Sequence, residues 1–306
     1  MFAILERLDS VDALPDKKGR VKLDFRKKHA EVLHDFRPNL YSGGIYFVRK
    51  QNYELAYQFF DEYINCATIP LFSSYHYLEK DKTLPSAAYW AVYCGYKLRD
   101  PKATLHHSYI ALKDSSNYCL MLQYLAETYY MENDTVRYFK TIEEGFKKYP
   151  TFPYFFPRLI EYYSTRSEHD KALRICDEAL AVDSLNQNFL FAQSTLLLNT
   201  SQYDKCLDVC NRFIALNDSF PDVYLNAGLA YYNQAVEIDK NYKIARRQHG
   251  KVMQLYKNAL RYFEKYRILA PEQKNKWALP LYTIYLNLNM GKEFDTIDQI
   301  LRNMEK

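Results

Sequence analysis

The sequence predicts an all-α chain: a right-handed superhelix, or α-solenoid, of about six to seven antiparallel helix pairs stacked side by side. Three observations predict it. Thr104, Tyr138, Ala172 and Cys206 recur at equal intervals, and each lies in the same pattern of apolar helix, short polar turn, second apolar helix and break. The clearest copy is FFPRLIEYYSTRSEHDKALRICDEALAVD (155–183), with others at 121–150 and 189–218. Glycine is scarce, 8 residues in 306, which argues against a sheet-rich fold of tight turns and against glycine-rich phosphate loops. The prolines fall at helix boundaries. Pro38, Pro85, Pro153 and Pro221 sit within the first two positions of predicted first helices, where no N–H is needed, and Pro150 and Pro271 follow second helices.

In chain order, residues 1–38 read as N-terminal capping helices: a short helix, a turn at LPDKKGR (14–20) and a helix from about Leu23 to Phe36. Residues 39–302 form the repeat domain. An insertion at 65–86 pushes its first and second copies further apart than the period allows, and reads as an ordered loop. The second copy (86–113) is degenerate, with Gly95 where an aromatic residue is usual, and in the third Tyr138 stands where a small one is usual. A second insertion, at 233–258, lengthens the sixth copy. Its apolar spacing (Val236, Ile244, Val252, Leu255) is helical, so both helices of that hairpin should be extended. An atypical pair at 281–304 closes the stack and 303–306 is a tail.

A chain of 306 residues exceeds the ~250–300 over which a single rounded core grows, which suits an elongated repeat fold. Hydrophobic residues make up 48% and charged residues 25%, the balance of a soluble globular chain. Net charge is +4, too little to imply nucleic acid as a partner. No apolar run reaches the ~18–20 residues of a membrane span. The opening MFAILERLDS lacks a basic first segment and carries Glu6 and Arg7; it reads as the tail of a helix, with an upstream piece expected before Met1.

The residues that could carry chemistry read as structural. The six cysteines (66, 94, 119, 176, 206, 210) form no C-x-x-C and none lies at zinc-ligand spacing from a histidine. Cys206 occupies a small crossing position, and Cys210 and Cys176 a large packing position, so they read as core. His106 and His107 are adjacent and should diverge on a helix; His29 and His34 are five apart, a poor chelate. His169 falls in a polar turn, and Glu143 and Glu144 on a solvated face. No G-x-G-x-x-G, G-K-[ST], H-E-x-x-H or G-x-S-x-G occurs, so neither enzyme, metal nor cofactor is expected. Lys240, Lys243, Arg246, Arg247 and Lys251 in the second insertion read as a solvated hairpin tip, with docking of an acidic partner as the alternative.

A helix–turn–helix period of about 34 residues resembles the tetratricopeptide repeat family, whose pattern runs W-x2-L-G-x2-Y, A-x3-F, Ala, Pro. Gly44, Phe47, Ala56 and Phe60 match in the first copy, and Leu125, Ala126, Tyr129 and Pro150 in the third. Leu159, Tyr163, Ala172, Ala179 and Leu180 match in the fourth, and Gly228, Tyr231, Ala259, Phe263 and Pro271 in the sixth. The resemblance implies a concave groove lined by the first helix of each pair. Its groove positions fall here on Tyr41 and Arg49; on Tyr89, Trp90, Tyr93, Tyr96 and Lys97; on Gln123, Tyr124, Glu127 and Tyr130; on Tyr154, Arg158 and Glu161; and on Phe191, Thr195, Asn199, Asn226 and Tyr232. The family's clamp for a peptide carboxylate is absent, since Tyr89, Gln123, Glu127 and Pro157 stand where it needs basic residues or Asn.

What the resemblance implies is a non-enzymatic scaffold that binds a peptide segment or protein partner in a tyrosine-rich groove, because Tyr and Trp give large area with few rotors. A glycan-binding module on the same aromatic surface is the alternative. The layout, including ALPDKKGRVKLDFRKK (13–28), is similar to that of exported bacterial tetratricopeptide proteins, which implies the cell envelope or periplasm, with the cytoplasm as the alternative.

Overall fold

The computed structural model describes residues 1–304, all of its regular structure helical. The last two residues of the expected tail lie outside the described residues, and its first two belong to the final helix. The chain divides into two compact units, Met1–Phe155 and Phe156 onward. The first holds α1 (Phe2–Asp12), α2 (Arg26–Arg49), α3 (Tyr53–Asn65), α4 (Tyr77–Lys80), α5 (Leu84–Leu98), α6 (Pro101–His106), α7 (Ser108–Ala111), α8 (Tyr118–Met131) and α9 (Thr135–Lys148). The second holds α10 (Phe155–Ser164, from its second residue), α11 (His169–Val182), α12 (Gln187–Asn199), α13 (Tyr203–Leu216), α14 (Pro221–Asp239), α15 (Tyr242–Arg247), α16 (His249–Leu269), α17 (Lys274–Asn287) and α18 (Gly291–Met304).

The period is written in the backbone. Arg99, Asn133, Ser167 and Ser201, each one period after the last, are left-handed with φ of 55–57°. In every case the next N–H reaches back five residues: Asp100 to the Gly95 carbonyl, Asp134 to Tyr129, Glu168 to Tyr163 and Gln202 to Leu197, at 2.9–3.0 Å. That closure satisfies an orphan carbonyl at the end of the first helix and reverses the chain for the second. Two of these four reversals also cap the second helix: Asp100 accepts from Lys102 and Ala103, and Asp134 from Arg137. Gln51 (φ 56°) makes the same turn, and it precedes Arg99 by one period plus the insertion between them.

Three sequence expectations about helix ends are corrected. The capping helix and the first helix of copy one are fused in α2, with Pro38 inside it rather than at its start. Proline removes one backbone hydrogen bond, but Leu33, Arg37 and Leu40 on either side are held by neighbouring elements, so the helix continues through it. Pro153 lies in the turn ahead of α10, not in its first two positions. The second helix of copy two is broken into α6 and α7 at His107 (φ −105°, ψ 10°).

The insertion at 65–86 forms a 3-10 helix (Pro70–Tyr75) followed by α4. It is fastened through Arg37 of α2. The guanidinium lies between the rings of Tyr63 and Tyr77, 3.7 and 3.9 Å from their centroids. It donates to the Tyr63 carbonyl at 3.0 Å and pairs with Asp81 at 2.7 Å, while the Tyr63 hydroxyl donates to the same Asp81 oxygen at 2.8 Å. The two charged side chains are 6% and 11% exposed, so the pair is desolvated and each ion depends on the other. In the second unit the later insertion lengthens α14 and α16 to 19 and 21 residues, with α15 at the tip.

Three stability outcomes follow. Arg37→Ala leaves the desolvated Asp81 without its cation, though still accepting from the Tyr63 hydroxyl, and should lower stability by about 3–5 kcal/mol in urea unfolding, with faster amide exchange over 70–81. Gly95 faces backbone: a Cβ there would lie 2.5 Å from the Thr104 nitrogen and 2.7 Å from the Ala103 carbonyl carbon. Gly95→Ala should therefore cost about 1–3 kcal/mol in the same assay. Gly250→Ala, in α16 with nothing within 4 Å, should be neutral or stabilise by up to ~1 kcal/mol.

Candidate functional site

In the first unit α3, α5 and α8 bring six aromatic rings into one run of contacts. Tyr53 meets Tyr93 edge-on at 5.9 Å, Tyr93 meets Trp90 at 5.6 Å and 90°, and Trp90 meets Tyr89 at 5.2 Å. Tyr89 approaches Tyr124 at 6.3 Å, and Tyr124 stacks on Tyr96 at 4.5 Å and 25°. The rings hold one another in edge and offset arrangements that their quadrupoles favour. A polar edge completes the surface. Glu127 accepts from the Tyr96 hydroxyl at 2.7 Å through one carboxylate oxygen and from Gln123 at 3.2 Å through the other. Lys97 lies over the Tyr93 ring at 5.5 Å. Burial, then the hydrogen bond with Tyr53, pushes the Tyr93 phenol up to about 12, so it stays a neutral hydroxyl.

The residues expected in the groove divide into three groups. Trp90, Tyr93, Tyr96, Gln123, Glu127 and Tyr41 are half-buried and keep accessible surface; Tyr41 shares a 3.1 Å hydrogen bond with Ser86. Tyr130 is 69% exposed beside Tyr138. Tyr89, Tyr124 and Tyr154 are buried, and here the expectation is corrected: Tyr89 and Tyr124 belong to the core beneath the surface, and Tyr154 meets Phe155 edge-on at 5.2 Å, so they supply backing rather than contact surface. In the second unit Arg158 is half-buried and Glu161 exposed. Phe191 packs edge-on against Phe220 at 5.2 Å, and Tyr232 against Tyr256 and Phe263. Asn226 is buried and donates to Ser194 and Thr195 at 3.0 Å, so these polar positions are tied to each other.

Sequence reasoning missed two features. In the second unit Tyr224, Tyr231, Asn258, Arg261 and Tyr262 line a cavity of about 250 Å³, with Tyr231 and Tyr262 stacked at 5.8 Å. The repeat register had assigned Tyr231 to packing, and the insertion hid its pairing with Tyr262. The second is His106 and His107, whose rings do not diverge: the helix break between α6 and α7 turns both toward Asp61. A larger cleft of about 540 Å³ near α1 is lined by Leu8, Val11 and Phe25 together with Asp9, Arg20 and His29; it has no aromatic run and is remote in sequence from the rings above.

The cysteines are free thiols, and five of the six are buried. Burial pushes Cys176 up to about 12, far from a reactive thiolate. Cys206 donates to the Ser194 carbonyl at 3.3 Å, and its sulfur lies 3.9 Å from that of Cys210. His34 bonds the Tyr77 hydroxyl at 2.6 Å and stacks on Tyr75. Lys240, Lys243, Arg246, Arg247 and Lys251 are exposed at the hairpin tip. Among the described residues no helix is long and apolar enough to cross a membrane.

No family model matches the chain, and no curated protein matches it. Solved structures do. The C-terminal part of a TPR repeat-containing protein from Cytophaga hutchinsonii is similar over 84% of this chain and 92% of its own, at 12% identity and a TM-score of 0.56. The Pseudomonas aeruginosa pilF protein matches over 78% of this chain and 93% of its own, at 14% identity and a TM-score of 0.42. A TPR repeats protein from Bacteroides fragilis matches over 86% and 98%, at 14% identity and a TM-score of 0.36. The Cytophaga match fixes the fold: the chain has the architecture of a tetratricopeptide-repeat protein.

Proposed function

We propose that the chain is a non-enzymatic scaffold that captures an extended peptide segment of a protein partner on the aromatic surface of α5 and α8. The observation that carries this reading is the pair Trp90 and Tyr93. Both keep accessible surface, both are fixed by ring contacts, and a cation and a carboxylate (Lys97 and Glu127) stand beside them. Rings already held in place lose little freedom on binding, so their area converts to affinity at low entropic cost. Apolar side chains of the segment would sit on Trp90 and Tyr93, and Glu127 and Lys97 would meet its polar groups.

A glycan reading is supported by a different feature, the cavity of the second unit. There stacked Tyr231 and Tyr262 offer a flat face, with the Asn258 amide and the Arg261 guanidinium as hydrogen-bond donors.

Selection of a displayed random-peptide library on the immobilised full chain separates the two. Enriched peptides should bind the native chain, and the double change Trp90→Ala, Tyr93→Ala should weaken them by about 30-fold or more with helicity unchanged. Undiminished affinity in that variant removes the peptide surface. Signal on a glycan array that is lost in Tyr262→Ala would instead favour the sugar.

A further inference from the structure

We propose that Asp61, His106 and His107 bind a divalent transition-metal cation of the zinc class, with one coordination position left open to solvent. Adjacent residues on a continuous helix point about 100° apart, so a His-His pair is ordinarily no chelate. Here the helix ends at His106, His107 takes a non-helical conformation, and α7 starts afresh at Ser108. That single step in the backbone brings the two imidazoles to 4.3 Å between centroids. Both Nε2 atoms face one oxygen of Asp61 on α3: His107 at 2.6 Å and His106 at 3.9 Å. All three ligand atoms lie within 4.8 Å of one another.

Donors around a tetrahedral zinc stand ~3.4 Å apart, given metal–ligand bonds of ~2.0–2.2 Å. The two distances at Asp61 straddle that value, so small side-chain rotations would seat an ion without moving the backbone. The donor set is two neutral imidazoles and one carboxylate, which suits zinc and its neighbours rather than calcium or magnesium. The supporting shell is in place. The second oxygen of Asp61 accepts from the Asn65 amide at 3.0 Å, which fixes the carboxylate plane.

Exposure is graded across the site. The side chains of His107, Asp61 and His106 are 6%, 31% and 59% exposed. The ion would therefore rest on a rigid inner side and face water on the His106 side, where a donor from a bound partner could complete its shell. It would also staple α3 of the first repeat to the broken helix of the second, across the intervening insertion.

The test uses the full chain, stripped with chelator and titrated with ZnCl2 by calorimetry and with CoCl2 by visible absorption. One ion per chain is expected, with the intense visible bands of tetrahedral cobalt. His106→Ala, at an exposed position that leaves the fold intact, should weaken binding at least 10-fold, and His107→Gln should do the same. His249→Ala, an exposed histidine elsewhere, should change nothing. No saturable binding, or equal affinity in His106→Ala and the native chain, would show an Asp61–His107 hydrogen bond only and end the proposal.

Discussion

Everything in this fold depends on two helices crossing with almost nothing between them at one point. A Cβ placed at Gly44 would lie 2.6 Å from the Phe60 ring, and one at Gly228 would lie 3.1 Å from the Phe263 ring. These are the same contact in two different repeats. Phe263 lies further along the chain from Gly228 than Phe60 does from Gly44, and the excess is the insertion carried by the sixth copy. A long excursion can therefore be added to a hairpin while its crossing is untouched. The second copy has a different close approach, Gly95 against the Thr104 backbone, which leaves no room for the aromatic residue usual at that position.

The spacing of small and large residues made this architecture legible. Ala172 and Cys206, at equivalent positions of successive repeats, are both fully buried, because a crossing point tolerates only a small side chain and thiol and methyl serve alike. The turns were less legible. Their left-handed positions hold Gln51, Arg99, Asn133, Ser167, Ser201 and Asn289, with no glycine to announce them. Pro38 misled because a local rule about helix starts was overruled by burial on both sides of it. The approach of His106 and His107 to Asp61 could not be read at all, since it arises from a helix break that no glycine or proline marks. Of the aromatic surface, sequence placed the rings on the correct helices. It could not separate Trp90 and Tyr93, which reach solvent, from Tyr89 and Tyr124, which do not, because a tyrosine suits either position.

Six of the chain's 30 tyrosines share one role through their hydroxyls. Tyr63 donates to Asp81, Tyr96 to Glu127 and Tyr118 to Glu144, at 2.6–2.8 Å. In the second unit Tyr203 donates to Glu237, Tyr256 to Asp239 and Tyr285 to Glu264. Each of these bonds joins a helix to a carboxylate on another helix or, for Asp81, on the insertion. The ring fills the gap between elements, and the hydroxyl gives the carboxylate a charge-assisted hydrogen bond across it. Phenylalanine would fill the same gap without that bond. A fold that repeats such gaps uses tyrosine repeatedly, so tyrosine enrichment alone is no measure of binding surface.

That distinction narrows what can bind. A ring whose hydroxyl is tethered to a carboxylate keeps its plane, and Tyr96 is held in this way by Glu127. Tyr96 stacks on Tyr124, Tyr124 lies 5.9 Å from Tyr93, and Tyr93 meets Trp90 edge-on. One hydrogen bond between α5 and α8 is thus linked through the buried Tyr124 ring to Tyr93 and Trp90. Structural tyrosines and the proposed contact residues are one assembly, in which the first group fixes the second before any partner arrives. The surface owes its shape to the same bonds that hold neighbouring repeats together, so altering the stack beneath it would alter the surface as well.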